Sequence, residues 1–493
     1  MQVLTQYRWT VALVIYILAA WFSTGFHHYD EHFQILEFAN LKMGKALEAN
    51  MPWEYKEQMR AALQPFLTVQ SVYFFEKINC TNPFIQTFLL RLIVGVLTLG
   101  VLKKWSEALA KQEGTSIGGS FGWCVAFLWC MPYLSVRYSS EGLSNLCFLA
   151  AALIIYQCRK EKLPLIIALA AGVLLGLSFE FRFQMAIAIL GVLGWLFFVD
   201  KRGWVSIFVV SIGILVAIFL GILVDHWFYN EWVFVPYNYL NVNLLQGKAG
   251  SIFGVMPFWW YIPEFIARMA PPVSVILLIL AIKGFKTFKN HILIWAMVPF
   301  IMVHFMIGHK ELRFLFPALS AIVLLAAGGW ENYLKHPIFN QRITRIILNL
   351  TGFINFILLI AATFRPASDA VPYYQFLHET AEKQGATHLI VEKKDPYEHV
   401  GLPTSFYKYP EIAVEIVESI SDLLSATNNS VHDGDLVLLQ TMNYQSPNPN
   451  IVLEKVYCYY PDAIKWVNFG NWQSRTRIWT IYRVKYSTRI NTD

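Results

Sequence analysis

The sequence predicts an all-α, multi-span membrane protein of about eleven transmembrane helices, followed by a small α/β domain on the extracytoplasmic side. Four observations point there. Of the 493 residues, 56% are hydrophobic and only 15% charged, where an ordinary soluble domain carries about 25% charged residues. Mean hydropathy is +0.44. Apolar runs approaching the roughly 20 residues that a span requires recur up to about residue 365, and lysines and arginines gather in every second loop between them.

The runs centre near Ile15, Gly95, Ala126, Ala151, Ala170, Gly191, Ile212, Ile276, Trp295, Ile322 and Phe356. The first, starting near Trp9, lacks a small-residue cleavage site and reads as a retained span. One set of loops holds Lys103, Lys104 and Lys111, then Arg159, Lys160 and Lys162, then Lys201 and Arg202, then Lys283, Lys286 and Lys289, then Lys335, Arg342 and Arg345. With a cytoplasmic N-terminus, eleven spans put all of them on the cytoplasmic side, as the positive-inside rule requires. The formal charge of +6 then reflects these loops, and no nucleic-acid partner is implied. The six cysteines contain no CxxC pair, so neither a zinc site nor a disulfide framework is indicated.

The opposite face receives a long first loop of about residues 24–87. It also receives "RYSSEG" (Arg137 to Gly142), "FEFRFQ" (Phe179 to Gln184), an aromatic loop from Asp225 to about Arg268, and "GHKELRF" (Gly308 to Phe314). The organisation expected is a transmembrane domain over 1–365 and a soluble domain over 366–493. In the latter, "THLIVE", "GDLVLLQ", "IVLEKVYCYY" and "RIWTIYRVKY" have strand character. "YYQFLHETAEKQG" and "AVEIVESISDLLSATN" have helical spacing.

The polar residues of that face carry the candidate chemistry. In "HHYDEHFQILEFA", Asp30, Glu31, Gln34 and Glu37 fall on about one turn of helix. A carboxylate at the membrane surface suits a general base; a solvated loop or a helix cap is the plainer account. Trp53, Glu54 and Arg60 follow in a loop too long and aromatic to be idle. His309, Lys310, Glu311 and Arg313 place cations against the topological bias. A phosphate-bearing ligand would explain them, and so would an ion pair between Glu311 and Arg313. Arg182, flanked by phenylalanines, stands at a span entrance where a charge faces a cavity or pairs with Glu180. Arg137 and Glu141 share a short loop, with a helix cap around Ser140 as the simplest reading. The rings and amides of the aromatic loop, Asn238 among them, suit an interfacial anchor or a sugar and lipid groove.

The stretches "HHYDEHFQILEFA", "MPWEY…MR…QP", "FYNEWVFVPYNYLNVN", "FWWYI" and above all "HKELRFLFP" resemble glycosyltransferase family 22, the lipid-linked mannosyltransferases of GPI-anchor and N-glycan assembly. The likeness runs from about Phe26 to Leu325. It departs at Tyr29, where many members have proline before "DE".

The resemblance implies a GT-C fold, an active site on the lumenal or periplasmic side, and inverting transfer from a polyprenyl phosphate mannose such as dolichyl phosphate mannose to a lipid-linked glycan acceptor. It carries Asp30, Glu31, Gln34, Glu37, Trp53, Glu54, His309, Lys310, Glu311 and Arg313 into the site. Asp30 is then the expected base, with Glu31 second. His309, Lys310, Arg313 and Arg182 are expected on the donor phosphate, and Gln34, Glu37, Trp53, Glu54, Glu311 and Asn238 on substrate. Nothing resembles a DxD or histidine-rich metal site, so transfer without metal or other cofactor is expected. The membrane would be that of the endoplasmic reticulum in a eukaryote or the inner membrane in a bacterium. A GT-C enzyme for another polyprenyl-linked sugar, a polyprenyl-sugar transporter and a non-catalytic subunit are the competing readings. The one-sided loop charges and the lack of an internal repeat weigh against transport.

Overall fold

The computed structural model describes all residues except Met1, Lys160, Lys335, His336, 338–340, 426–430, Val467, Phe469, Gly470, Trp472, 474–477 and 487–493. Two of the loop cations named above, Lys160 and Lys335, therefore lie outside the described residues. So do parts of the stretches beginning at Ala413 and Arg477.

Each of the eleven expected centres lies in a helix. These are Gln2–Phe22, Pro83–Gln112, Thr115–Phe127, Ser140–Gln157, Leu165–Phe181, Ala186–Phe198, Trp204–Tyr229, Val273–Phe288, Ile292–Met306, Leu319–Leu334 and Arg342–Phe364. Among the described residues, four segments are long and apolar enough to cross a membrane by length and composition alone: Pro83–Gln112, Trp204–Tyr229, Leu312–Leu334 and Arg342–Phe364. Several others are shorter apolar helices, such as Leu165–Phe181 and Ile292–Met306.

Two of the long helices turn most of their apolar surface outward. Phe208, Leu215 and Phe219 of Trp204–Tyr229 are exposed, as are Ile343, Phe353 and Phe356 of Arg342–Phe364. Water does not tolerate contiguous apolar faces of this size, whereas lipid chains do.

The chain divides into two compact units. The first comprises Met1–Ser23, Trp53–Cys80 and Gln86–Arg365. Without a hydrophobic driving force between helices in lipid, its packing relies on close backbone approach through small residues. Helices Val273–Phe288 and Leu319–Leu334 show this directly. A Cβ on Gly284 would lie 1.9 Å from the Leu325 carbonyl oxygen, and one on Gly329 would lie 1.9 Å from that of Leu280. The core between helices is conventional. Trp105 is buried and its indole donates to the Leu149 carbonyl at 3.0 Å. The aromatic loop of this unit folds as short helices, Val235–Leu240, Lys248–Phe253 and Tyr261–Arg268, with Trp232, Leu245 and Phe258 left exposed.

The second unit comprises Thr24–Pro52, Thr81–Ile85 and Pro366–Asp493. Thus the part of the first loop that carries Asp30 groups with the sheet-bearing chain terminus, while Trp53 and Glu54 group with the helical unit. Its five-stranded sheet runs Ile412–Val417, Thr387–Glu392, Leu436–Leu439, Thr480–Tyr486, Ile451–Cys458. The first three strands are parallel, with Leu389 opposite Val414 on one side and Leu436 on the other. The last two are antiparallel. Helix Val371–Gln384 buries Tyr373, Tyr374, Leu377 and Ala381.

One element departs from the sequence reading. The stretch expected as a helix from Ala413 is instead the edge strand Ile412–Val417, and a helix forms only over Ile420–Ser425. Its apolar residues fit both a period of two and a helical spacing. The β-branched side chains of Ile412, Val414, Ile416 and Val417, beside an unpaired strand edge, decide for the sheet.

Candidate functional site

In the helical unit, Ser139 caps helix Ser140–Gln157 by accepting the Gly142 N–H at 3.1 Å. This is the helix cap expected around Ser140. Glu141 sits in the first turn, where the helix N-terminus favours a carboxylate. It is buried, and its Oε1 receives Arg182 Nη1 at 2.7 Å and Arg313 Nη1 at 3.4 Å. Arg313 also donates through Nε to Glu311, which His309 Nε2 meets at 3.0 Å.

The expected Glu311–Arg313 pair therefore exists, within a larger network. The alternative pairing of Arg182 with Glu180 does not form. Helix Leu165–Phe181 ends at Arg182, which turns extended (φ −155, ψ 105) and reaches Glu141 instead. Glu180 lies over Gly221, where a Cβ would stand 2.1 Å from its Oε2.

Three buried polar groups near this network are incompletely satisfied. Arg182 is 6% exposed, and its Nε and Nη2 meet no hydrogen-bond partner among the described residues. The Nε2 of His304 is in the same position at 1% exposure, while the Tyr261 hydroxyl, in a residue 2% exposed, is drawn only to the Glu311 backbone. The Arg182 guanidinium lies 5.1 Å from the centre of the Phe314 ring, and the His304 ring lies 6.3 Å from it. Burial pushes the Tyr261 phenol up, against weaker opposing pulls from the Glu311 backbone and the Arg182 charge, so it stays protonated. Buried polar groups are normally paired, so these unmet ones make the network a candidate ligand site.

Lys310 is differently placed. Its ammonium donates to the carbonyls of His304 at 3.3 Å, Phe305 at 2.8 Å and Ile307. It caps the C-terminal end of helix Ile292–Met306, where carbonyls lack intrahelical partners. Burial lowers its pKa.

Residues 53–62 are held by a separate set of contacts. Asp225 Oδ1 accepts the Ala62 N–H at 2.7 Å, and the Tyr229 hydroxyl donates to the Arg60 carbonyl at 2.8 Å. Glu54 is buried, with Arg60 3.5 Å away. Trp53 lies under the Lys248 ammonium at 4.7 Å, and Lys248 pairs with Glu57. The Asn238 side-chain amide donates to the Gln58 carbonyl at 3.1 Å, which ties the aromatic loop to this segment.

In the second unit, the "YDEHFQILE" stretch is helical throughout, with a π-helical turn over His32–Glu37. His28 caps it, accepting the Asp30 N–H at 3.2 Å through Nδ1. The same atom lies 3.4 Å from the Asp30 carboxylate. The Asp30 side chain remains partly exposed at 22%. Glu31 is buried and accepts the His27 N–H at 3.0 Å, while Gln34 is half-buried.

Glu37 is engaged on both oxygens. It binds His32 Nε2 at 2.8 Å, Ser405 Oγ at 2.5 Å, the Phe406 N–H at 2.9 Å and Asn40 at 3.3 Å. Burial alone would raise its pKa, but the bonds from His32, Ser405 and Phe406 outweigh that and hold it below the usual carboxylate range.

The structure therefore brings Arg182, Glu311, Arg313 and His309 into one network. It sets Lys310 on backbone carbonyls and Glu37 in the interior of its own unit. Sequence reasoning did not single out His304 or Tyr261. The available signal was a histidine inside an apolar helix, a costly placement that usually has a purpose.

A bundle of apolar helices with a small mixed sheet is the architecture of the GT-C glycosyltransferases. The chain aligns over 96% of its length with ArnT from Cupriavidus metallidurans in the apo state, at a TM-score of 0.51 and 11% identity, covering 96% of that chain. Against ArnT bound to undecaprenyl phosphate the TM-score is 0.53, at 10% identity over 97% of both chains. At such identities the likeness is one of fold. Within that class, the chain belongs to the Alg9-like mannosyltransferase family, whose model matches residues 7–412.

Among individual relatives, it is 26% identical over 306 residues to mannosyltransferase APTG1 of Arabidopsis thaliana, covering 61% of this chain and 54% of that one. It is 31% identical over 120 residues to GPI alpha-1,2-mannosyltransferase 3 of Bos taurus, covering 24% and 21%. It is 22% identical over 316 residues to alpha-1,2-mannosyltransferase ALG9 of Mus musculus, covering 60% and 50%. The chain thus spans about half, or less, of the length of these relatives.

Proposed function

We propose that the protein is an inverting mannosyltransferase. It takes mannose from a polyprenyl (dolichyl) phosphate mannose and delivers it to a lipid-linked glycan or glycolipid on the extracytoplasmic face of the membrane, with eleven crossings setting that sidedness. The observation that carries this reading is Arg182. It is buried, fixed by Glu141 beside the "HKELRF" segment, and its Nε and Nη2 nitrogens meet no partner among the described residues.

In the reaction, an acceptor hydroxyl oxygen attacks the anomeric carbon from the face opposite the phosphate. The bond from that carbon to the phosphate oxygen breaks, its electron pair leaves on the polyprenyl phosphate, and the hydroxyl proton passes to a carboxylate. A phosphate leaves without protonation, so only one of the two carboxylates of an inverting glycosidase is needed. Asp30 takes the role of base because it matches the family's acid and keeps an accessible carboxylate; Glu31 is second. Arg182 and Arg313 stabilise charge growing on the departing phosphate. Lys310 and Glu311 hold the segment that presents Arg313, and His309 steadies Glu311. Gln34, Trp53, Glu54 and Asn238 shape the surroundings of the acceptor.

The test is transfer of radiolabelled mannose from dolichyl phosphate mannose to candidate glycolipids by the purified protein, with EDTA present. Transfer that vanishes in Asp30→Asn while the fold is kept is the expected result. Full activity in Asp30→Asn would overturn the base. Absence of transfer with every acceptor, from folded protein, would point to another polyprenyl-linked sugar.

A further inference from the structure

The Arg182 network leaves one buried acceptor whose chemistry does not suit a phosphate. His304 Nδ1 lies 2.8 Å from the Phe300 carbonyl oxygen. A carbonyl only accepts, so Nδ1 carries the ring proton in that bond. In the neutral ring, Nε2 is then a lone-pair acceptor. It is buried and meets no partner among the described residues.

A phosphate at physiological pH offers chiefly acceptor oxygens, which match the unmet N–H groups of Arg182 but not this nitrogen. An O–H donor does match it. The two residues flank one ring, Phe314. The Nδ1 bond to the Phe300 carbonyl holds the imidazole in place, and Lys310 fixes the end of its helix by binding the His304 carbonyl. Around one ring, then, stand donors for an anion and an acceptor for a hydroxyl. A sugar phosphate presents both.

We propose that His304 reads the transferred sugar, its Nε2 accepting a hydrogen bond from a hydroxyl of the glycosyl phosphate whose phosphate Arg182 holds. This rests on the donor class proposed above and adds a sugar-recognising residue to it. A site built to bond a hydroxyl rejects a ligand lacking it, because the buried acceptor is left unpaired. His304 therefore separates the sugar-bearing donor from the bare polyprenyl phosphate product.

The test compares binding of dolichyl phosphate mannose and of dolichyl phosphate to the full-length protein in detergent micelles. Three variants are compared with the unaltered chain: His304→Phe, His304→Gln and Arg182→Gln. His304→Phe should weaken binding of the mannosylated lipid about five- to tenfold, the worth of one buried hydrogen bond, and leave that of dolichyl phosphate unchanged. His304→Gln, whose amide oxygen can accept, should restore much of the loss. Arg182→Gln should weaken both lipids. Equal effects of His304→Phe on the two lipids, or none on either, would overturn the role of His304 while leaving the donor class standing. Failure of the unaltered protein to bind either lipid would overturn the donor class, and this role with it.

Discussion

Glu141 and Arg182 meet at 2.7 Å with side chains only 4% and 5% exposed, although 41 residues separate them in sequence. One carboxylate thus orients a guanidinium arriving from a different helix, and its second neighbour, Arg313, arrives from a third segment. Such an arrangement fixes the arginines before any ligand arrives, and preorganisation of this kind lets charge stabilisation act without reorganisation cost.

Removing Glu141 should therefore be expensive. Glu141→Ala leaves two buried guanidinium groups without their shared carboxylate, and breaking a buried pair from one side costs about 3–5 kcal/mol. Denaturant unfolding in detergent should show a loss of that order, and mannosyl transfer should fall with it. A stability within about 0.5 kcal/mol of the unaltered protein, the range of ordinary surface substitutions, would mean that the network does not hold the arginines.

Asp30 and Glu31 are adjacent but differently engaged, and their variants should separate. Asp30→Asn, if the residue is the base, should reduce turnover by about 100-fold or more with little change in stability, since its carboxylate is partly exposed. Glu31→Gln weakens the bond to the His27 N–H and should chiefly disturb the local turn. Reversal of that ranking in initial-rate measurements would transfer the base to Glu31.

Glu37 gives a pH signature in stability. Its carboxyl is held below the ordinary value of 4.5 by His32, Ser405 and Phe406 against the cost of burial. The native state therefore binds the proton less readily than the unfolded chain. The stability it contributes is fully present above the unfolded value and is lost as pH falls through the lower folded value. Glu37→Gln does not titrate. The difference in melting temperature between the two proteins should thus be largest near neutrality and shrink below about pH 4.5. A constant difference down to pH 3 would show that the Glu37 charge does not matter to the fold.

The helical frame was legible in sequence because apolar runs and alternating loop charge are long-range, redundant signals, and every expected centre lies in a helix. The strands from Thr387 and Ile451 were legible through β-branched content. The edge strand at Ile412 was not, because its five apolar residues satisfy two periodicities and only the neighbouring strand Thr387–Glu392 chooses between them. Of the site, "HKELRF" drew attention by its charges. What it could not disclose was division of labour: Lys310 binds carbonyls while Arg182, far away in sequence, keeps donors unmet among the described residues. His304 escaped notice because a lone histidine in an apolar run acquires meaning only when one of its nitrogens is seen bonded and the other is not.

The contact between helices Val273–Phe288 and Leu319–Leu334 supplies the last prediction. Gly284 and Gly329 each face the other helix's backbone, with a Cβ at either position 1.9 Å from a carbonyl oxygen. Backbone cannot yield as a flexible side-chain tip can, so any side chain there forces the helices apart. Separation would strip neighbouring residues of contacts that no hydrophobic effect replaces in lipid. Overpacking of a tight interface costs about 1–3 kcal/mol for small additions, and a leucine adds far more volume than that. Gly284→Leu and Gly329→Leu should each lower the melting temperature in detergent markedly. Gly352→Leu, at a helix position where a Cβ meets nothing within 4 Å, should leave it nearly unchanged. Equal melting temperatures for all three variants would mean that the close crossing contributes nothing to stability.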